Sequence, residues 1–259
     1  MPRYAWAKEA WETDLPSTTH INWDRLYAVN SLNSTASGNR SKYVIEERRV
    51  DQNDLNFAVN AKWNPVKFLT VNGGLSYKWN RTEYYKILDD LLGGDYYVNI
   101  DQFAERDFAA YPTMIQNDLD YYLKNGAAQT LAQGDKYGYD YYAHVRRAEA
   151  WASGRFTFGG FEATVAGRLG YSKFWREGLL RKGLFPGLDD NGNPFTYNGE
   201  IITKYDQIDG RPITSKGESD KKDFLTGSGK INLGYFISGG HRIYADAAYV
   251  TEAPTFNQA

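Results

Sequence analysis

Cysteine is absent, which excludes a disulfide framework, a thiol nucleophile and any Cys-ligated metal centre. No run of about 18 apolar residues occurs, which excludes a spanning helix, but a spanning strand needs only about 9 to 11 alternating residues. An excess of one charge is also missing. With 30 basic against 32 acidic side chains and a net charge of -2, bulk charge gives no reason to expect nucleic acid or an acidic surface as partner. Histidine is scarce: His20, His144 and His241 sit in separate segments, none with a second ligand at metal spacing, so neither a metal nor a His-centred active site is expected. The first twenty residues carry acidic side chains and Pro16 where a secretory signal needs a continuous apolar core. The expectation is a cytosolic chain or part of a larger one.

Aromatics are abundant, with 21 Tyr, 13 Phe and 7 Trp making 16% of the chain, while mean hydropathy is only -0.62. That combination, with 25 Gly, suits strands and turns. Period-two alternation, the mark of strands with two unlike faces, is the clearest pattern. Leu55, Phe57, Val59, Ala61 and Trp63 alternate with Asn56, Ala58, Asn60 and Lys62, ending at Asn64-Pro65, a turn dipeptide. Leu69, Val71, Leu75, Tyr77 and Trp79 then oppose Thr70, Asn72, Ser76, Lys78 and Asn80. Around Gly159-Gly160 a second hairpin returns with Phe161, Ala163, Val165, Gly167, Leu169 and Tyr171 on one parity. Its descending partner has Ala148, Ala150, Ala152, Phe156 and Phe158 in register but Trp151 opposite. A third turns near Ser238-Gly239-Gly240. Strands are expected over about 42–64, 67–83, 139–158, 161–176, 223–237 and 241–251.

The other connections, about 84–138 and 177–222, far exceed the roughly 4 to 6 residues usual in compact domains. Short turns alternating with long loops are the rule in outer-membrane barrels. The intervals Leu69 to Trp79, Phe161 to Tyr171 and Leu225 to Tyr235 are each 10 residues. At a tilt near 45° such an interval covers about 23 Å, close to the roughly 25 Å apolar band of barrels. Trp63, Phe161 and Tyr235 fall near the short turns and Trp79 and Tyr171 near the long loops, as two membrane-interface girdles require. The fold expected is all-β: an antiparallel up-and-down meander forming part of a transmembrane β-barrel, with long loops at one rim. Within the first long loop, Tyr84, Ile87, Leu88 and Leu91, and then Ile115, Leu119, Tyr122 and Leu123, are spaced for short helices. The first forty residues carry no strand period, and 31–41 reads as loop.

Motifs for chemistry are weak. Gly227-Ser228-Gly229-Lys230 lacks the leading glycine of a phosphate loop and lies within a strand, and Asp189-Asp190-Asn191-Gly192-Asn193 meets Pro194 where a calcium loop needs glycine. Asp89, Asp90, Asp95, Asp101, Glu105 and Asp107 leave a glycosidase pair open by number, but no spacing pairs them. Arg146-Arg147, Arg176 and Arg181-Lys182 could attract anionic lipid or ligand and read, unassisted, as solvated loop charge. The sequons at Asn33, Asn39 and Asn80 carry weight only in a eukaryotic secretory pathway.

Ile21-Asn22-Trp23-Asp24-Arg25-Leu26-Tyr27, Gly134-Asp135-Lys136-Tyr137-Gly138-Tyr139-Asp140-Tyr141, His144-Val145-Arg146-Arg147, Phe174-Trp175-Arg176-Glu177-Gly178-Leu179 and the closing Tyr249-Val250-Thr251-Glu252-Ala253-Pro254-Thr255-Phe256 together resemble the barrel portion of TonB-dependent outer-membrane receptors, most like those of Bacteroidota. The resemblance covers nearly the whole chain. It implies a barrel of about 22 strands around an N-terminal plug, no enzymatic activity and no cofactor. It also implies uptake of a scarce solute bound at extracellular loops and plug, driven by an inner-membrane TonB complex. Outer-membrane lipid and a surface lipoprotein are the further partners it suggests, and nucleic acid is not among them. No plug or TonB-contacting segment is recognisable, so the expectation is a fragment, located in the cell outer membrane as part of its parent. Tyr84, Tyr85, Tyr96, Tyr97, Trp175 and Arg176 are the loop candidates for ligand contact, the rings by stacking on sugar or chelate rings. The competing reading is a soluble β-sandwich that binds or hydrolyses carbohydrate, with aromatic platforms and a loop carboxylate pair.

Overall fold

The computed structural model describes residues 2–256. Strands hold 53% of the residues and helices 15%, so the chain is mostly β. Six long strands, β1 (Ile45–Val66), β2 (Leu69–Asp90), β3 (Lys136–Phe158), β4 (Phe161–Gly178), β5 (Lys222–Phe236) and β6 (Arg242–Val250), form one sheet in the order β6-β5-β4-β3-β2-β1. Neighbours in space are neighbours in sequence, and every registered pair is antiparallel, which is an up-and-down meander. A two-residue segment, Gly217–Glu218, adds to the end of β4. Among the described residues the sheet does not close on itself: β1 and β6 are its edges.

The chain divides into two compact units. One comprises Val50–Tyr84, Tyr141–Leu179 and Lys216–Ala259 and holds most of the sheet. Directly opposed residues of an antiparallel pair share a face, so the register itself reports the faces. Phe158, Phe161, Tyr235 and Ile243 form one cross-strand row; Gly154, Val165, Ile231 and Ala247 form another; Ala148, Tyr171 and Leu225 a third. Trp151 lies opposite Arg168, on the other face. Gly74 makes room for that indole: a Cβ there would lie 2.7 Å from Trp151 Nε1 and 2.8 Å from the Val59 carbonyl oxygen.

Turn positions follow local chemistry. Gly159 has φ of 58°, and Gly239 and Gly240 both have φ of 83°, the left-handed region where a Cβ is penalised. The first turn differs from the expectation at Asn64-Pro65. Both residues lie within β1 and the chain turns at Lys67–Phe68, because an edge strand accommodates a proline whose missing N–H a central strand could not.

The second unit comprises Met1–Arg49, Tyr85–Asp140 and Leu180–Ser215. The helix expected around Tyr84 to Leu91 is absent, since β2 continues to Asp90. Leu88, fully buried with Tyr97, Leu131 and Tyr137, exchanges backbone hydrogen bonds with Asp135 and Gly134. Tertiary pairing therefore overrides an ambiguous apolar spacing. The second expected helix forms over Leu119–Asn125, capped by the Asp118 side chain and closed by left-handed Gly126, with Ile115 outside it. Helices also occupy Pro2–Glu12 and Trp23–Ser31, within the first forty residues that carry no strand period. Asn22 caps the latter by accepting from the Arg25 amide. At its end Asn30, completely buried, donates to the carbonyl oxygens of Tyr43, Leu91 and Leu92 and accepts from the Lys42 and Tyr43 amides.

Candidate functional site

Within the second unit a cavity of about 440 Å³ is lined by rings and charges, among them Glu46, Lys86, Tyr97, Tyr137, Tyr139 and Lys182. Glu46 sits at its centre of charge. Its carboxylate accepts from Lys86 Nζ at 2.8 Å, Tyr137 Oη at 2.6 Å and Arg48 Nε at 2.7 Å. Burial pushes the Glu46 carboxyl up, but the hydrogen bonds from Lys86, Tyr137 and Arg48 outweigh it and hold the group down to about 2. Burial and the bond to Glu46 together push the Tyr137 phenol well above the usual range. Burial raises Tyr97 in the same direction. Near neutrality Glu46 is thus ionised while Tyr137 and Tyr97 hold their protons.

Of the loop carboxylates, Asp90, Asp95, Asp101, Glu105 and Asp107 are engaged in structure. Asp90 accepts from the Leu92 amide and Asp95 from the Asn39 amide. Asp101 caps the Gln102–Asp107 helix, Glu105 meets Arg40 and Asp107 meets Arg106. Asp189 accepts from the Asn191 and Asn193 amides in a tight surface turn. Among the described residues no group of three His, Asp or Glu is arranged to hold a metal ion. His144 instead bonds Glu177 at 2.8 Å.

The loop candidates fall into separate places. Tyr97 lines the cavity, edge-on to Tyr137 at 5.5 Å. Tyr85 is buried with the Lys136 ammonium 4.0 Å over its ring, and Tyr96 bonds Thr35 through its hydroxyl. In the sheet unit, Tyr84 stacks on Tyr141 at 5.1 Å, and Arg176 lies 4.5 Å from the same ring. Trp175 stacks on His144 at 4.7 Å. Arg181 departs from the solvated reading: it is 8% exposed, and its guanidinium donates to Asp120 and to the carbonyl oxygens of Pro186 and Leu188. Nothing local marks Arg181 or the Glu46 cluster in the sequence, since Glu46 is 40 residues from Lys86 and 91 from Tyr137.

On the sheet the interface aromatics Trp63, Phe161, Tyr171 and Tyr235 are exposed, whereas Trp79 is partly covered by Arg146, 4.7 Å above its ring. On β4 and β5 exposure is inverted relative to a water-soluble sheet. Leu225 and Leu169, on the apolar parity, are 79% and 65% exposed, while Thr226 and Ser172, on the polar parity, are 6% and 8%. The polar face carries matched charge, with Arg155 and Arg242 on Glu162 and Arg147 and Arg168 on Glu149. Among the described residues the long strands make a single sheet, and the remaining sheets have two strands each, so no second large layer stands ready to form a sandwich.

Compared with known proteins, the chain matches no family model, no curated protein and no solved structure.

Proposed function

We propose that this chain forms part of a transmembrane β-barrel belonging to an outer-membrane receptor that imports a scarce solute. The observation that carries the reading is the inverted exposure of β4 and β5, where the apolar parity lies open and the polar parity half-buried. In water an open face of this size would aggregate, whereas hydrocarbon is the solvent that favours it. The exposed aromatic row at the short turns, Phe158, Phe161 and Tyr235, suits a headgroup layer. The unpaired edges of β1 and β6 require further strands, because lipid offers no water to satisfy them.

Dependence on TonB rests on the resemblance of the quoted motifs alone. On that reading the ring-lined and charged cavity around Glu46 and Tyr97 contributes to solute capture, and the plug and energy-transducing partner act elsewhere in the parent. The test is fractionation of cells expressing the complete reading frame. Recovery in detergent-extracted outer membrane as a heat-modifiable species is expected. Recovery in the aqueous fraction without detergent overturns the proposal and returns the carbohydrate-binding sheet to first place.

A further inference from the structure

On the polar face Arg155, Arg242, Arg147 and Arg168 each meet a carboxylate, whereas on the apolar face a group of cations near the long loops does not. Strand register sets Arg146 of β3 directly opposite Lys173 of β4, one step beyond the row Ala148, Tyr171 and Leu225. Arg81 lies beside them, its guanidinium 4.7 Å over the ring of Tyr142, which shares the parity of Arg146. Like charges directly opposed destabilise a strand pair. Among the described residues none of the three cations forms an ion pair. Arg146 donates to the carbonyl oxygens of Asn80 and Val145 at 2.8 and 3.0 Å and rests 4.7 and 5.2 Å from the rings of Trp79 and Trp175. Asp223, opposite Lys173 on β5, is the acidic side chain in the row and makes no ion pair with it. Farther along the same face Lys221 is held by Glu218 and His144 by Glu177. Three cations facing one carboxylate at the border of an exposed apolar face have the charge and the apolarity of an amphiphile's binding site.

We infer that Arg146 and Lys173, with Arg81 beside them, bind the phosphate of an anionic lipid whose acyl chains lie along Leu169, Tyr171 and Leu225. The inference rests on the membrane reading. A bridging phosphate relieves the repulsion and forms charge-assisted hydrogen bonds to the guanidinium, and the open leucines beside it favour a lipid over free phosphate.

The test uses the complete barrel in neutral detergent, with thermal unfolding followed as phosphatidylglycerol, phosphatidylcholine or inorganic phosphate is added. Phosphatidylglycerol raises the midpoint and phosphatidylcholine does not. The double variant Arg146→Gln/Lys173→Gln weakens the phosphatidylglycerol response roughly thirtyfold. Lys230→Gln, on the polar face opposite Ala166, leaves the response unchanged. Equal responses to the two lipids, or an undiminished response in the double variant, overturn the site. Inorganic phosphate acting as strongly as the lipid overturns the lipid assignment in favour of a free anion. A protein soluble without detergent overturns the membrane reading itself, whereas a detergent-dependent protein indifferent to headgroup charge overturns only this inference.

Discussion

Single side chains hold the loop-rich unit together through contacts far apart in the chain. Asn30 satisfies two amides and three carbonyl oxygens at once. Asn30→Asp keeps the acceptor but sets a carboxylate against three carbonyl oxygens, so a loss of about 3 kcal/mol is expected. Amide exchange at Lys42 and Tyr43 reads it, and unchanged protection there would contradict the clamp. Glu46 sets an acid limit on the same unit. The hydrogen bonds hold its carboxyl down to about 2 against an ordinary 4.5, so its contribution is complete above about pH 4.5 and is lost as pH falls toward 2. The shift corresponds to about 3 kcal/mol before solvent screening, which lowers the figure for a partly exposed carboxylate. Exchange protection around Tyr137, followed from pH 5 to pH 2, is expected to fall, and Glu46→Gln should abolish that pH dependence at the cost of stability near neutrality.

At the scale of elements, strands were legible and their partners were not always so. Alternation located six strands, and the register places Phe158, Ala152 and Ala148 on the face of Phe161, Gly167 and Tyr171, so one parity runs unbroken across β3 and β4 despite Trp151. Helical spacing failed at Leu88 because a few apolar residues fit either period and the decision came from backbone partners at Gly134 and Asp135. The helices Pro2–Glu12 and Trp23–Ser31 carry no clean apolar stripe that would mark them in the sequence, although Asn22 at the second is a recognisable cap. The faces make a sharp substitution test. Val165 opposes Ile231 and Gly154, whereas Thr164 opposes Asn232 and Arg155. On the proposed barrel reading, Val165→Arg in the complete protein is expected to cost roughly 2 to 4 kcal/mol and Thr164→Arg little, measured by denaturant titration in lipid. Equal tolerance of both sinks the assigned faces.

For the whole molecule, the open edges at β1 and β6 govern behaviour. On the proposed membrane reading, residues 1–259 expressed alone are expected not to insert stably, because two rows of unpaired backbone groups would meet hydrocarbon. Efficient refolding in detergent to a heat-modifiable monomer would contradict this. Of the candidate site, the sequence supplied Tyr97 and the neighbourhood of long loops, while Glu46, Lys86 and Tyr137 emerged only from tertiary contact. The division has a physical cause. The existence of six strands, their alternating parity and the glycine turns at Gly159 and Gly239 are local properties, written in period two and in φ and legible in the amino-acid order, whereas the continuation of β2 to Asp90 was set by distant backbone partners. Which charges are neutralised, as at Glu162, and which stand opposed and unpaired, as at Arg146 and Lys173, depends on how one strand slides against the next. That register, like the cavity around Glu46, depends on residues distant in the chain, and only the tertiary structure decided it.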